Sequence, residues 1–200
     1  MTYQRVNIFK TAGDMFFRLG VRSVSIDEIC REMGISKKTF YVYFESKDEL
    51  VAQILQSNLD YMSEKAETLL KKDDFRSWVT GFIKRQREEK NDVRRVPQLV
   101  YDLQKYYPRQ FEEFQVNAFN KEKTHIRRFL ERGIEEGLVR ANLNVEYTST
   151  LFAKIHSDSI RDLEMMESHG MNMVKLSHVA MDVFVRGVLS DEGLKLYSER

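Results

Sequence analysis

The sequence contains a single cysteine, two prolines and nine glycines in 200 residues. The lone cysteine, Cys30, cannot form an intramolecular disulfide, which is typical of proteins in a reducing cytoplasm. No apolar run approaches the roughly eighteen residues of a membrane-spanning helix, and the N-terminal segment lacks the uninterrupted apolar stretch of a signal peptide. We therefore expect a cytoplasmic protein with no membrane association.

Charge of either sign is not in excess. Lysine and arginine number 32 against 31 aspartates and glutamates, so the formal net charge is +1. A balanced total gives no global electrostatic reason for the chain to bind nucleic acid or a membrane surface. Any basic binding surface has to be local.

The chain is rich in helical periodicity. Apolar residues recur at intervals of three and four almost throughout, while the alternation typical of half-buried strands is nearly absent. Pro97 and Pro108 both precede amphipathic segments and suit the first turn of a helix, where no amide hydrogen is needed. We predict an all-α fold of about nine helices. Three short helices come first, which places a small N-terminal domain at residues 1–50 and a larger helical domain at residues 51–200.

Three signals organise the N-terminal domain. Ser25 and Glu28 have the spacing of a capping box at a helix start, and Ser46 and Glu49 repeat it. Between them, Gly34 is placed to adopt the left-handed conformation of a sharp turn between two helices. The lengths of these helices and the position of the glycine predict a helix-turn-helix.

The second helix of this motif, KKTFYVYF, follows Ser36, which can cap it. Phe40 and Phe44 are expected to face inward, leaving the polar side chains outside. Lysine can donate to guanine acceptors, threonine can contact a thymine methyl, and tyrosine hydroxyls can reach phosphates. The alternative is an ordinary solvated basic helix end. We favour a DNA-reading helix whose outward residues are Lys37, Lys38, Thr39, Tyr41 and Tyr43.

The segment SVSIDEICREMGISKKTFYVYFESKDEL resembles the DNA-binding region of the TetR family of bacterial transcriptional regulators. The resemblance covers about residues 5–55. Cys30 and Met33 stand where that family usually has alanine, and Lys38 where it usually has a small residue. The resemblance implies that Ser25 and Tyr41 contact phosphates and that Lys47 holds the DNA backbone at the start of the fourth helix. It also implies a DNA-binding set that comprises Ser25, Ser36, Lys37, Lys38, Thr39, Tyr41, Tyr43 and Lys47.

The remainder of the chain matches the family only in general outline. The resemblance implies a pocket for an unknown small-molecule effector among the middle helices and a homodimer made by the last two long helices. The final long helix supports dimerisation independently, because its apolar residues cover more than one face. The candidate pocket residues could instead be ordinary core; they are Trp78, Phe82, Tyr101, Phe114, Phe119, Phe152 and His156.

Catalytic and metal-binding patterns are missing. The four histidines lack metal-ligand spacing, no glycine-rich phosphate loop occurs, and no Ser-His-Asp order suggests a nucleophile. We expect no enzyme activity, no metal and no cofactor. The function predicted is a repressor that a small apolar effector releases from a near-palindromic double-stranded DNA operator. The alternatives are a DNA-binding factor of this fold without an effector, acting through protein partners, and a helical enzyme.

Overall fold

The computed structural model describes residues 3–72, 74–77, 96–161 and 173–198. Within these ranges no β-strand forms; Val139 and Leu189 make an isolated antiparallel bridge. None of the helices described there is both long and apolar enough to cross a membrane. The all-α prediction is confirmed. In chain order the helices are α1 (Tyr3–Leu19), α2 (Ile26–Met33), α3 (Lys37–Tyr43), α4 (Lys47–Lys72), α5 (Val96–Tyr106), α6 (Pro108–Glu135), α7 (Val145–Arg161), α8 (Met173–Val188) and α9 (Asp191–Ser198).

The predicted turn between α2 and α3 is confirmed. Ser25 Oγ accepts the amide of Glu28 at 3.2 Å, and Glu28 Oε2 accepts the amide of Ser25 at 2.6 Å, which completes a capping box. Gly34 has φ 65°, in the left-handed region where glycine meets no steric cost. Ser36 Oγ then accepts the amide of Thr39 at 3.0 Å and starts α3. The helix-turn-helix geometry is therefore encoded locally.

The second predicted capping box is wrong in one detail. Ser46 Oγ accepts the amide of Glu49 at 3.1 Å, as expected for an N-cap. The Glu49 carboxylate, however, accepts the amide of Glu45 at 2.6 Å, one residue upstream of the cap. Both bonds still satisfy amides near the start of α4, so the helix begins where predicted.

The later helix boundaries mostly follow their signals. Pro97 is the second residue of α5 and Pro108 the first of α6, both in the first turn. Gly137 has φ 73° just after α6 ends, and Asn144 Oδ1 accepts the amide of Tyr147 at 3.1 Å to start α7. These predictions are confirmed.

Helix α9 differs from the sequence-based prediction, in which the helix ending near Leu189 is the last. This short polar helix begins after Ser190, whose Oγ accepts the amide of Gly193 at 3.1 Å. Tyr197 in α9 is fully buried, and its hydroxyl donates to Asp182 at 2.7 Å. Leu194 and Leu196 pack against the same core as Tyr197. A helix of only eight residues depends on such tertiary packing for its stability, and its length gives a weak sequence signal.

The chain divides into two compact units. The first contains the described residues within 1–60 and 92–116, and the second those within 61–91 and 117–200. The core of the first unit includes Ile8, Phe16, Ile29, Phe40, Phe44, Leu50 and Leu103. The core of the second includes Phe75, Ile126, Leu130, Phe152, Val185, Val188 and Tyr197. The domain boundary at residue 50 remains a prediction.

Candidate nucleic-acid interface

Helix α3 separates an inward apolar side from an outward polar side. Phe40 is completely buried and packs 5.7 Å from Phe44, measured between ring centroids. Lys37, Lys38 and Tyr41 are exposed. Because every third or fourth residue points inward, the side chains between them form one continuous outer surface. The inward and outward assignments of Phe40, Phe44, Lys37, Lys38 and Tyr41 are those expected from the sequence.

The other residues predicted to contact DNA differ in how far their side chains are exposed. Ser25 and Ser36 are exposed, whereas Thr39 and Tyr43 are half-buried. Thr39 Oγ1 lies 2.9 Å from Ser36 Oγ, so the cap also holds the threonine hydroxyl. The caps therefore fix the orientation of side chains at the helix N-terminus. DNA contacts by these residues remain predictions.

The two lysines of α3 differ in their surroundings. Lys37 Nζ lies 2.7 Å from Asp27 Oδ1 in an ion pair between α3 and α2. Both side chains are more than half exposed, so the pair contributes little stability. It does bring a negative charge close to Lys37. We therefore expect Lys38 to act as the stronger of the two in an electrostatic contact.

Lys47 is directed toward the protein interior. Its Nζ donates to the carbonyl of Val21 at 2.5 Å and lies 5.6 and 5.5 Å from the ring centroids of Phe16 and Tyr107. Burial lowers the pKa of Lys47, although nearby carboxylates, Asp48 first, act in the opposite direction. One of the three ammonium donors is thus used inside the first unit. The phosphate contact predicted for Lys47 remains a prediction.

Asp102 is a functional candidate that the sequence pattern does not indicate. It lies on α5 and is almost fully buried. Its Oδ2 accepts the amide of Arg22 at 3.0 Å, and its Oδ1 accepts Nε2 of Gln98 at 2.9 Å. The only sequence signal was a carboxylate between the apolar Leu99 and Leu103.

Gly20 allows this contact. Its φ is +84°, and a Cβ built on it would lie 2.7 Å from Asp102 Oδ2. The Arg22 guanidinium also stacks 4.7 Å from the ring centroid of Tyr106. Burial raises the pKa of Tyr107 to about 12, and the carboxylates of Asp48 and Asp102 add to the shift. Helix α5 thus holds the segment that joins α1 to the helix-turn-helix.

The predicted effector-pocket residues are spread over both units. Trp78 and Phe82 lie outside the described residues. Tyr101 is at the surface of the first unit, where its hydroxyl accepts from Lys105 Nζ at 2.9 Å. Phe152 is buried in the second core, 4.2 Å from Phe184 between ring centroids. Phe114 and Phe119 are half-buried, and His156 lies on α7. The pocket they were expected to form remains a prediction.

A polar cluster occupies the second unit. His125 Nε2 lies 3.4 Å from Ser63 Oγ and 3.6 Å from Glu67 Oε1, and Glu67 also pairs with Arg128. Burial lowers the pKa of His125, while the field of Glu67 acts to raise it. Among the described residues, no group of three or more His, Cys, Asp and Glu side chains is placed to hold a metal.

Helices α7 and α8 pack against each other in the second unit and carry exposed apolar residues. On α7 these residues recur every four positions, which places them on one face. Two valines on α8 have the same spacing. The exposed side chains are Tyr147, Leu151 and Ile155 on α7 and Val179 and Val183 on α8. We refer to this set as the α7–α8 face.

The helical fold, the helix-turn-helix and its exposed basic helix define a DNA-binding protein of the helix-turn-helix class. Residues 8–54 match the family model described as bacterial regulatory proteins, tetR family. The chain therefore carries, over residues 8–54, the N-terminal segment that is typical of the TetR family. A helix-turn-helix transcriptional regulator from Bacillus subtilis (strain 168), YuxN, is 43% identical over 53 residues, which are 26% of this chain and 18% of that protein.

Solved structures share the fold over nearly the whole chain. A TetR-family transcriptional regulator from Agrobacterium tumefaciens has a TM-score of 0.64 at 15% identity, covering 93% of this chain and 97% of that one. A protein from Saccharomonospora viridis, proposed to be a transcriptional regulator and bound to choline, has a TM-score of 0.70 at 17% identity, covering 95% and 100%. Identities this low establish the fold alone.

Proposed function

We propose that this protein is a homodimeric repressor that binds a near-palindromic operator and is released from it by a small molecule. The observation that carries the proposal is α3, which presents Lys37, Lys38 and Tyr41 outward from a helix-turn-helix anchored by Phe40. Such a helix fits the major groove with its N-terminal residues at base edges. The match of residues 8–54 to a family of bacterial regulatory proteins supports this role.

The α7–α8 face supports a dimer. Tyr147, Leu151 and Val183 are large apolar side chains, each more than half exposed. Large exposed apolar side chains on two packed helices are typical of a protein interaction site. A second copy of the chain is its proposed occupant, because a two-fold dimer places the same face of each protomer against the other. Such a dimer would present two copies of α3 to two half-sites.

The effector is proposed to bind the second unit. Its polar cluster of Ser63, Glu67 and His125 supplies the few hydrogen-bonding groups that a largely apolar ligand site needs. The S. viridis protein, which has this fold, was solved in complex with choline, and this supports a small-molecule site. Release requires only that the effector bind more tightly to the conformation that fits DNA less well.

The experiment is selection of binding sites from random double-stranded DNA, followed by footprinting of the enriched sequences. We expect a near-palindrome with half-sites about 34–36 Å apart along the helix axis, or a multiple of that spacing. Lys38→Ala should enrich a less constrained sequence, and the Glu192→Ala variant, on the exposed start of α9, serves as the matched control. Absence of any enriched sequence would contradict the proposal. An enriched site without two-fold symmetry would contradict the dimeric arrangement.

A further inference from the structure

The first unit contains an open cleft of about 370 Å³ that the DNA-binding role does not use. It lies among α1, α4 and α5. Its walls include Phe9 and Phe17 of α1, Val51 and Leu55 of α4, and Leu99 and Leu103 of α5. Small-molecule sites in proteins typically occupy about 300–1,000 Å³ and are mostly apolar. The size and the lining of the cleft both meet this description.

Gly13 opens the cleft on the α1 side. It lies in the interior of the helix, where glycine is unfavourable compared with alanine. Its backbone is not in the left-handed region, and a Cβ built there would meet only Ile54 Cγ2, at 4.0 Å, an ordinary contact. Neither backbone conformation nor close packing therefore requires a glycine at this position. What its missing side chain does provide is room in the cleft.

The rim of the cleft indicates the chemistry of the ligand. Lys10 and Asp14 of α1 contribute one positive and one negative charge, and Ser57 and Asn58 of α4 contribute neutral polar groups. One charge of each sign leaves the rim without a net charge that would attract an anion or a cation. The polar atoms can still bond one donor or acceptor of a ligand.

We propose that this cleft binds an uncharged, largely apolar small molecule that carries one hydrogen-bonding group. The site lies wholly within the first unit and is distinct from the effector site proposed for the second unit. Leu99 and Leu103 flank Asp102 on α5, and Phe16 and Val21, which also line the cleft, flank Gly20. A ligand there touches the residues that hold the segment leading into the helix-turn-helix. If the protein binds DNA as proposed above, a ligand in the cleft changes the affinity of the protein for DNA.

The test is a fluorescence titration of the full chain with N-phenyl-1-naphthylamine, a neutral apolar probe whose emission rises in apolar surroundings. Wild-type protein should bind it saturably. Gly13→Leu fills the cleft and should weaken binding by at least about tenfold, whereas Gly13→Ala adds only a methyl that meets ordinary contacts and should bind within about twofold of wild type. Equal affinity of wild type and Gly13→Leu would overturn the proposal.

Circular dichroism establishes whether each variant is folded. If Gly13→Leu does not fold, Leu55→Trp is used instead, because it fills the cleft from the opposite wall. No saturable binding by the wild type would also overturn the proposal and would leave the cleft as a groove for a protein segment. DNA affinity is measured separately, with and without the probe. If the probe binds to the cleft but the wild type selects no DNA, the proposed function fails while the ligand site stands.

Discussion

Two surfaces of this protein expose large side chains, but their chemistry differs. The outer side of α3 carries Lys37, Lys38 and Tyr41, whereas the α7–α8 face carries residues such as Leu151 and Val183. Lysine and tyrosine exchange water for phosphate and base contacts at modest cost, because they remain hydrogen-bonded. Leucine and valine gain only by leaving water. The first surface is therefore matched to a nucleic acid and the second to another protein surface.

The largest expected effect is that of a charge on the α7–α8 face. Val183 is 65% exposed, and Val183→Glu would bury an unpaired carboxylate in the proposed dimer, at a cost of about 3–5 kcal/mol. Sedimentation velocity should show monomers at concentrations where the wild type is dimeric. Operator affinity should fall as well, because fewer dimers are present to bind the two half-sites.

Val42→Glu is the matched control, since Val42 is a 70% exposed valine on α3. It should leave the dimer intact while weakening DNA binding through repulsion of phosphates. If both valine variants remain dimeric, the α7–α8 face is not the dimer interface.

Next in size is the effect of side chains at the two left-handed glycines of the first unit. Gly20→Ala combines a positive φ with a contact of 2.7 Å to Asp102, so we expect a loss of about 2–4 kcal/mol in the free energy of unfolding. Gly34→Ala also has a positive φ but meets nothing within 4 Å, so the loss should be about 1–2 kcal/mol. Urea denaturation measures both. Equal losses would mean that the Asp102 contact adds no steric constraint.

Truncation of the exposed lysines of α3 should act on DNA binding. Lys38→Ala is expected to cost about 1–3 kcal/mol at the preferred operator and to reduce discrimination against random DNA. Lys37→Ala should cost less than Lys38→Ala, because Asp27 already offsets part of the Lys37 charge. Fluorescence anisotropy with operator and random duplexes measures both quantities. If discrimination is unchanged in both variants, α3 is not the reading helix.

Lys47→Ala tests whether a half-buried ammonium also contacts a phosphate. A phosphate contact predicts a decrease of about 1 in the slope of log affinity against log salt, for operator and random DNA alike. Loss of the bond to the Val21 carbonyl predicts a lower free energy of unfolding. An unchanged salt slope together with lower stability would show that Lys47 acts only inside the protein.

The smallest effect concerns the capping box of α2. Hydrogen bonds from the backbone and side chain of Ser25 lower the pKa of Glu28. A lowered pKa in the folded state means that the ionised carboxylate stabilises the fold above the ordinary glutamate pKa and that this contribution is lost as the pH falls through the folded pKa. Glu28→Gln should therefore be slightly less stable than wild type at pH 7, and the difference should shrink near pH 3. A difference that does not change with pH would contradict the assignment.

The helix-turn-helix was predictable because its signals are local. Ser25 and Ser36 each accept the amide three residues ahead, and Gly34 takes the left-handed conformation, so their spacing alone defines the turn and the two helix starts. The burial of Phe40 and the exposure of Lys38 then follow from helical periodicity. The family resemblance rests on the same short segment, which is why it could be recognised without a structure.

Contacts between residues distant in sequence were not predictable in this way. Asp102 meets the amide of Arg22 across eighty positions of the chain, and nothing in the local sequence of either residue indicates the pairing. The bond from Lys47 Nζ to the carbonyl of Val21 joins residues 26 positions apart, and the local sequence does not indicate it either. Helix α9 is not indicated by the sequence because it is only eight residues long, and its stability comes from packing Tyr197 and two leucines against the core of the second unit.

The amino-acid sequence by itself determined the all-α class, the two helix starts and the left-handed turn of the DNA-binding motif, because those features depend on hydrogen bonds and side-chain periodicity within a few residues. Only the tertiary structure decided that α5 holds the entry to that motif through Asp102, and that Gly13 opens a cleft among α1, α4 and α5. These features depend on which side chains, distant in sequence, pack into the same core. Those contacts form only when the whole unit is folded and closely packed.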